Sequence, residues 1–215
     1  GRGRTRRGHD RRDWLGSAVA TSQTVVRLIR AASAALLALM GSLASASEPS
    51  TPERPAVVAQ RAPGPIRVDG ILDEPAWQGA GVIADLTQQS PKPGEATAFR
   101  TVVRVLVDRE HLYFGIECED PDPGRIAVHT MQRDGNMTGD DTVSIVLDTF
   151  LDHRTGYLFE VNAAGARLDG LISDPNLDAS LDWDGIWDVV TRRTARGWTA
   201  EIVLPAQTIR FNRTN

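Results

Sequence analysis

Cysteine occurs once in the 215 residues, at Cys118, and lysine once, at Lys92. A lone cysteine excludes an intrachain disulfide and any zinc site built from cysteines. Cys118 stands in an alternating run with Leu112, Phe114 and Ile116, so a buried apolar role is expected rather than a reactive thiol. Long apolar runs are missing too. The most apolar stretch, 31–43, falls well short of the roughly 20 residues that a membrane-spanning helix needs. No later segment keeps a helical apolar stripe over three turns. There is no glycine-rich phosphate loop, serine-centred elbow, nucleotide fingerprint, HExxH spacing or CxxCH motif. The catalysts most easily read from sequence are therefore absent.

Positive charge is scarce where it would matter for nucleic acid. The net charge is −4 overall, but residues 1–46 hold eight arginines and two acids. That leaves sixteen bases against twenty-six acids in 47–215, a net of −10. Such a surface repels phosphate backbones and excludes nucleic acid as the expected partner.

Residues 1–46 read as a signal or targeting region. Arg27 and Arg30 precede the apolar stretch, and Ala44-Ser45-Ala46 fits a small-residue cleavage site. Arg11-Arg12-Asp13-Trp14-Leu15 resembles a twin-arginine export motif, although two further arginines separate it from the apolar segment. The expected location is periplasmic, outer-membrane-associated or extracellular. Residues 47–65 read as a proline-rich linker, and 66–215 as one domain, expected to lack a final strand after Ile209-Arg210-Phe211. An unpaired sheet edge is the anticipated consequence.

Within that domain the apolar period is two. Thr101, Val103, Val105 and Val107 share one face, as do Leu112, Phe114, Ile116 and Cys118, around the short connection Asp108-Arg109-Glu110. This is a hairpin signal. Thr142–Phe150 and Tyr157–Ala163 alternate in the same way. Further short strands are expected at Ile66–Val68, Val82–Gln88, Ala166–Ser173, Trp187–Thr194 and Trp198–Leu204. The fold class is all-β, an antiparallel β-sandwich of jelly-roll type.

Tryptophan supplies the first candidate site. Sugar rings carry an apolar C–H face that stacks on indole, but tryptophan also packs in cores. Trp77 and Trp198 sit in apolar contexts and read as structural. Trp183 and Trp187 lie in the polar, turn-rich Leu181-Asp182-Trp183-Asp184-Gly185-Ile186-Trp187-Asp188 and are the candidate stacking pair. Loop acids supply a second candidate. Calcium is held by several closely spaced oxygens, and Asp134, Asp140 and Asp141 are the chosen set, against the alternative that these acids are solvated or cap turns. Glu160 and Glu201, both opposite the core face of their strands, are expected to line one outer surface. A glycosidase would need two such carboxylates at a fixed separation. His129 with Met131 or Met137 is the weaker possibility of a haem site.

The motifs in order are Ile66-Arg67-Val68-Asp69-Gly70-Ile71-Leu72-Asp73-Glu74-Pro75-Ala76-Trp77, His111-Leu112-Tyr113-Phe114-Gly115, Arg133-Asp134, Tyr157-Leu158-Phe159-Glu160-Val161-Asn162 and Gly197-Trp198-Thr199-Ala200-Glu201-Ile202 with Pro205. Together they resemble the family 9 carbohydrate-binding modules, part of a wider group of DOMON-like β-sandwiches. The likeness is greatest to bacterial modules that precede an outer-membrane barrel in a longer envelope protein. The resemblance implies binding of an oligo- or polysaccharide, calcium in some members, and polysaccharide breakdown through an attached catalytic domain rather than by the module itself. It adds Arg133, Asp141 and Asn162 as expected hydrogen-bonding contacts to sugar hydroxyls. The alternative is a periplasmic or surface interaction domain without sugar binding.

Overall fold

A computed structural model describes residues 56–173 and 179–209, together with the backbone of 24–27. Two sheets face each other. The first has the order β1-β6-β7-β8-β9, formed by Thr24–Arg27, Thr142–Leu147, Gly156–Asn162, Arg167–Ile172 and Ala179–Ser180. The second has the order β10-β11-β5-β4-β2, formed by Asp188–Thr194, Gly197–Pro205, His111–Glu119, Thr101–Val107 and Gln60–Arg61, with β3 (Gly81–Ile83) also pairing with β4. The pairings are antiparallel except β1 with β6 and β2 with β4.

Period-two alternation decides which side chains enter the core, because successive residues of a strand point to opposite faces. Val103 and Val105 of β4, Phe114 and Ile116 of β5, Ile145 of β6, Phe159 and Val161 of β7 and Ala200 and Leu204 of β11 are all fully buried between the sheets. The expected hairpin is present, with Thr101–Val107 paired to Leu112–Cys118. Asp108 makes its turn: Oδ1 accepts from the backbone N–H groups of Glu110 and His111, each at 2.7 Å, and Oδ2 from the Tyr113 hydroxyl at 2.8 Å. Burial opposes ionisation of Asp108, but these bonds outweigh it and hold its pKa at about 2. Burial and the same carboxylate push Tyr113 up to about 12. Cys118 is likewise raised to about 12 by burial, which leaves a neutral, unreactive thiol at physiological pH.

Several boundaries differ from the sequence reading. Ile66–Val68 is not a strand, and the strand expected over 82–88 is limited to Gly81–Ile83. The end of the segment read as a linker belongs to the fold. Gln60 and Arg61 pair with Leu106 and Val107, and Val57 and Ala59 pack on the core. Thr24–Arg27, within the stretch read as a targeting region, runs along the edge of β6. Periodicity misses such pieces because a two-residue strand has no period. The final segment, from Arg210 onward, lies outside the described residues.

The outer face of the second sheet is covered by residues 62–80. Helix α1 (Pro75–Gln78) brings Trp77 and Ala76 onto Leu106 and Tyr113, with Leu72 and Val203 alongside. Gly115 makes this possible, since a Cβ there would lie 2.8 Å from Leu72 and 3.0 Å from Trp77. Glu201 locks the arrangement. Its Oε2 accepts from the N–H groups of Asp69 and Gly70, each at 2.7 Å, and its Oε1 from Trp77 Nε1 at 3.0 Å. The opening and closing motifs are thus one contact: Gly70, Leu72 and Trp77 meet Gly115 and Glu201. Gly197 has its own reason, because at φ 141° its Cβ would lie 1.9 Å from the Cys118 carbonyl oxygen across the β11–β5 pair.

Candidate functional site

The first sheet has a counterpart of this lock. Asp169 pairs with Phe159 across β7 and β8, so its side chain lies on the core face, and it is 1% exposed. Its Oδ1 accepts from Trp187 Nε1 at 2.9 Å and from Arg133 Nη2 at 2.9 Å, and its Oδ2 from the Gly185 N–H at 2.5 Å. All three partners are donors, and the two carboxylate oxygens accept from them together.

These bonds fold 183–188 over the inner side of β8. Trp187 is 4% exposed. It packs edge-on against Phe159 with centroids 5.3 Å apart, and the Arg167 guanidinium lies 5.7 Å from its ring centre. With its N–H committed and its face covered, Trp187 packs the core and offers no stacking platform, contrary to the expectation from its loop-like surroundings. Trp183 is only partly buried. Its ring leans on Tyr157 at 5.2 Å and Phe159 at 6.0 Å between centroids.

Arg133 arrives from the loop that precedes β6. It is 34% exposed. Its Nη2 also meets the exposed Asp184 carboxylate and the Gly185 carbonyl, the latter at 3.3 Å, and its Nε meets Asp134 at 3.3 Å. Among the described residues Nη1 has no partner. The loop itself is pinned from below. Asn162 is fully buried; its Nδ2 donates to Asp140 and to the Thr130 carbonyl, each at 2.7 Å, and its Oδ1 accepts from Ala164 and Ala166. Asp140 also accepts from the His129 backbone and pairs with its Nδ1, both at 2.6 Å. Met137 packs with Ala166 and Leu168 against the sheet.

The structure therefore joins Arg133 and Trp187 at Asp169 and ties Arg133 to Asp184 and Gly185, the residues that follow Trp183, while Asp141 and Asn162 bond elsewhere. Asn162 has no free polar atom for a sugar; it positions the loop that carries Arg133. Asp141 accepts from the Ala127 N–H and lines a cavity of about 30 Å³ with Phe99, Cys118 and Trp198, room for one water rather than a sugar ring. A larger hollow beside it includes Glu117, Glu119, Arg196 and Trp198. Trp198 is 5% exposed, so that hollow lacks an indole face.

Asp134, Asp140 and Asp141 do not assemble a calcium site. Asp134 pairs with Arg133, both oxygens of Asp140 are committed, and among the described residues no group of three or more His, Cys, Asp or Glu side chains could hold a metal ion. Asp174 and Asp178 lie outside the described residues. Of the residues in the haem alternative, Met137 is 3% exposed in an apolar cluster, Met131 is exposed, and His129 pairs with Asp140 through Nδ1.

Glu160 and Glu201 lie on the outer faces of different sheets, not on one surface. Sheets packed about 10 Å apart put them beyond the separation of a glycosidase pair. Burial raises the pKa of both. For Glu201, desolvation and the nearby Glu74 charge outweigh its three N–H bonds.

Asp169 is the residue that sequence reasoning missed. Alternation signals the opposite: Leu168, Gly170 and Ile172 are the apolar alternating set, which turns Arg167 and Asp169 outward, whereas the pairing of Asp169 with Phe159 places them on the core face.

No family model matches the chain, and no curated protein matches it. Solved structures do. A Bacteroides uniformis ATCC 8492 protein described as a "putative carbohydrate-binding protein" aligns at TM-score 0.54 and 12% identity, over 70% of this chain and 72% of that one. A family 9 carbohydrate-binding module from Caldicellulosiruptor kristjanssonii, in complex with cellotriose, aligns at TM-score 0.46 and 18% identity over 68% of this chain and 66% of that one. The glucose complex of a family 9 module from the same organism aligns at 0.47 and 19%, over 73% and 72%. The likeness is one of architecture: this chain is a β-sandwich with the fold of the Bacteroides protein.

Proposed function

We propose that this domain is a non-catalytic carbohydrate-binding module of an exported protein, with Arg133 and Trp183 at its ligand face. The observation that carries this reading is the Arg133 side chain, 34% exposed and held by Asp134, Asp169 and Asp184, the last of these adjacent in sequence to the partly exposed Trp183. Indole supplies the apolar face that a pyranose ring stacks on, and a fixed guanidinium whose Nη1 has no partner among the described residues donates to ring hydroxyls. The sandwich likeness to the Bacteroides protein supports the same class. Affinity is weak, because sugar hydroxyls exchange water bonds for protein bonds at small net gain.

Export rests on the arginine-flanked apolar stretch ahead of the small-residue site in 1–46. In a longer protein the module would hold polysaccharide for an attached catalytic domain, or stand before an outer-membrane barrel.

Titration with cellotriose and with glucose tests the reading. Trp183→Ala is expected to weaken binding roughly tenfold, the upper end of one aromatic contact. Unchanged affinity in that variant, or no saccharide bound by the native chain, would overturn the assignment.

A second reading is supported by the same segment. Leu181 and Ile186, 43% and 73% exposed, flank Trp183, and exposed apolar side chains serve protein contacts. As an interaction domain of an envelope assembly, the chain would lose its partner on Ile186→Asp while binding no sugar.

A further inference from the structure

We infer that Asp169 is the positioning residue of the ligand face, acting on ligand through Arg133 alone. This rests on the carbohydrate reading above and goes beyond it by assigning the affinity of the exposed guanidinium to a buried carboxylate that touches no ligand.

Three carboxylates surround Arg133, and they are not equivalent. Asp134 and Asp184 have side chains 45% and 78% exposed, whereas that of Asp169 is 1% exposed. Exposed pairs are screened by water and salt and hold a side chain weakly. A buried charge-assisted bond is stronger and is costly to leave unmade. Asp169 is also the one acid of the three that is fixed independently, by the Gly185 N–H and Trp187 Nε1. It therefore determines where Nη2 sits. Rotation of a planar guanidinium is then restricted, and Nη1, the nitrogen without a protein partner among the described residues, keeps one direction. A donor held in place before the ligand arrives spares the cost of ordering it on binding.

Asparagine cannot replace Asp169, because one oxygen and one N–H donor would face three donors. A double-mutant cycle on affinity, read by NMR titration with cellotriose, separates positioning from mere folding. Asp169→Asn is expected to weaken cellotriose about tenfold in the native background and less than about twofold in Arg133→Ala. Its effect on the melting temperature should differ between the two, because the ion pair is already absent in Arg133→Ala, so affinities are compared at a temperature where all four proteins are folded. Equal losses of affinity in the two backgrounds would mean that Asp169 acts through the fold or through Trp183, and would overturn the inference.

Should Asp169→Asn not fold, the exposed Asp184→Asn gives the converse test. Affinity within about twofold of native supports Asp169 as the anchor, and a tenfold loss assigns the role to the surface acid instead. A native chain that binds neither cellotriose nor glucose overturns the carbohydrate reading and this role with it. Native binding with equal losses in the two backgrounds overturns the role alone.

Discussion

Glu201 and Asp169 are the same device used twice. Each is a carboxylate 1% exposed on a strand, and each accepts from a tryptophan Nε1 and from backbone N–H. They differ in the remaining partner. Glu201 spends all three bonds on the strap at 69–77, and the result is sealed under Trp77, Leu72 and Tyr113. Asp169 spends one on Arg133, whose guanidinium reaches solvent. A closed lock can only stabilise. An open one also sets the position of a surface group, and this separates a site from a seam.

The largest expected effect belongs to the closed lock. Glu201→Ala strands two backbone donors and an indole, each costing about 1–3 kcal/mol, so a loss of roughly 3–5 kcal/mol is expected by urea denaturation. A loss below about 1 kcal/mol would show that the strap is held by its apolar contacts alone. Gly115→Ala comes next. Its Cβ would press on the end of the partly buried Leu72 and on the buried Trp77 ring, and overpacking of this kind costs about 1–3 kcal/mol. Neither change touches Arg133, so cellotriose binding should persist in whatever fraction remains folded. Loss of binding in a folded variant would mean that the two locks are coupled.

The smallest effect is a slope. Burial lifts Glu201 above its unfolded value of 4.5. The folded state therefore binds its proton more tightly than the unfolded state does. That contribution is complete below about pH 4.5 and fades as pH rises through the folded pKa. Glu201→Gln should remove this part of the pH dependence. Urea midpoints of the two proteins at pH 4.5, 5.5 and 7 should converge as pH rises, and parallel curves would contradict the assignment. Asp108 acts in the opposite sense: with its pKa held at about 2, its contribution is lost only in strong acid.

The resemblance motifs acquire a physical meaning from this comparison. Gly70, Trp77, Gly115 and Glu201 are spaced as they are because they close one strap onto one sheet, and Gly197 lets two strands of that sheet approach. They announce the fold and carry no ligand chemistry. Arg133, in contrast, was named only through the resemblance, and Trp183 only as a tryptophan in a polar, turn-rich segment. Asp169 was not legible at all, because Leu168, Gly170 and Ile172 mark the other face as apolar, and Trp187 looked like Trp183 although one is buried and the other partly exposed. Short-range pattern cannot separate two indoles four residues apart when burial depends on which carboxylate each one meets.

The sequence by itself determined the longer strands, the inward faces of 101–107, 111–119, 142–147 and 156–162, and the hairpin connection at Asp108, because backbone alternation and local hydrogen bonding act over a few residues. Only the tertiary structure decided that Glu201 receives Trp77 from 124 positions away and that Asp169 receives Arg133 from 36. Such pairings depend on how two twisted sheets and their covering segments are superposed in space, and the number of residues between two partners carries no trace of it.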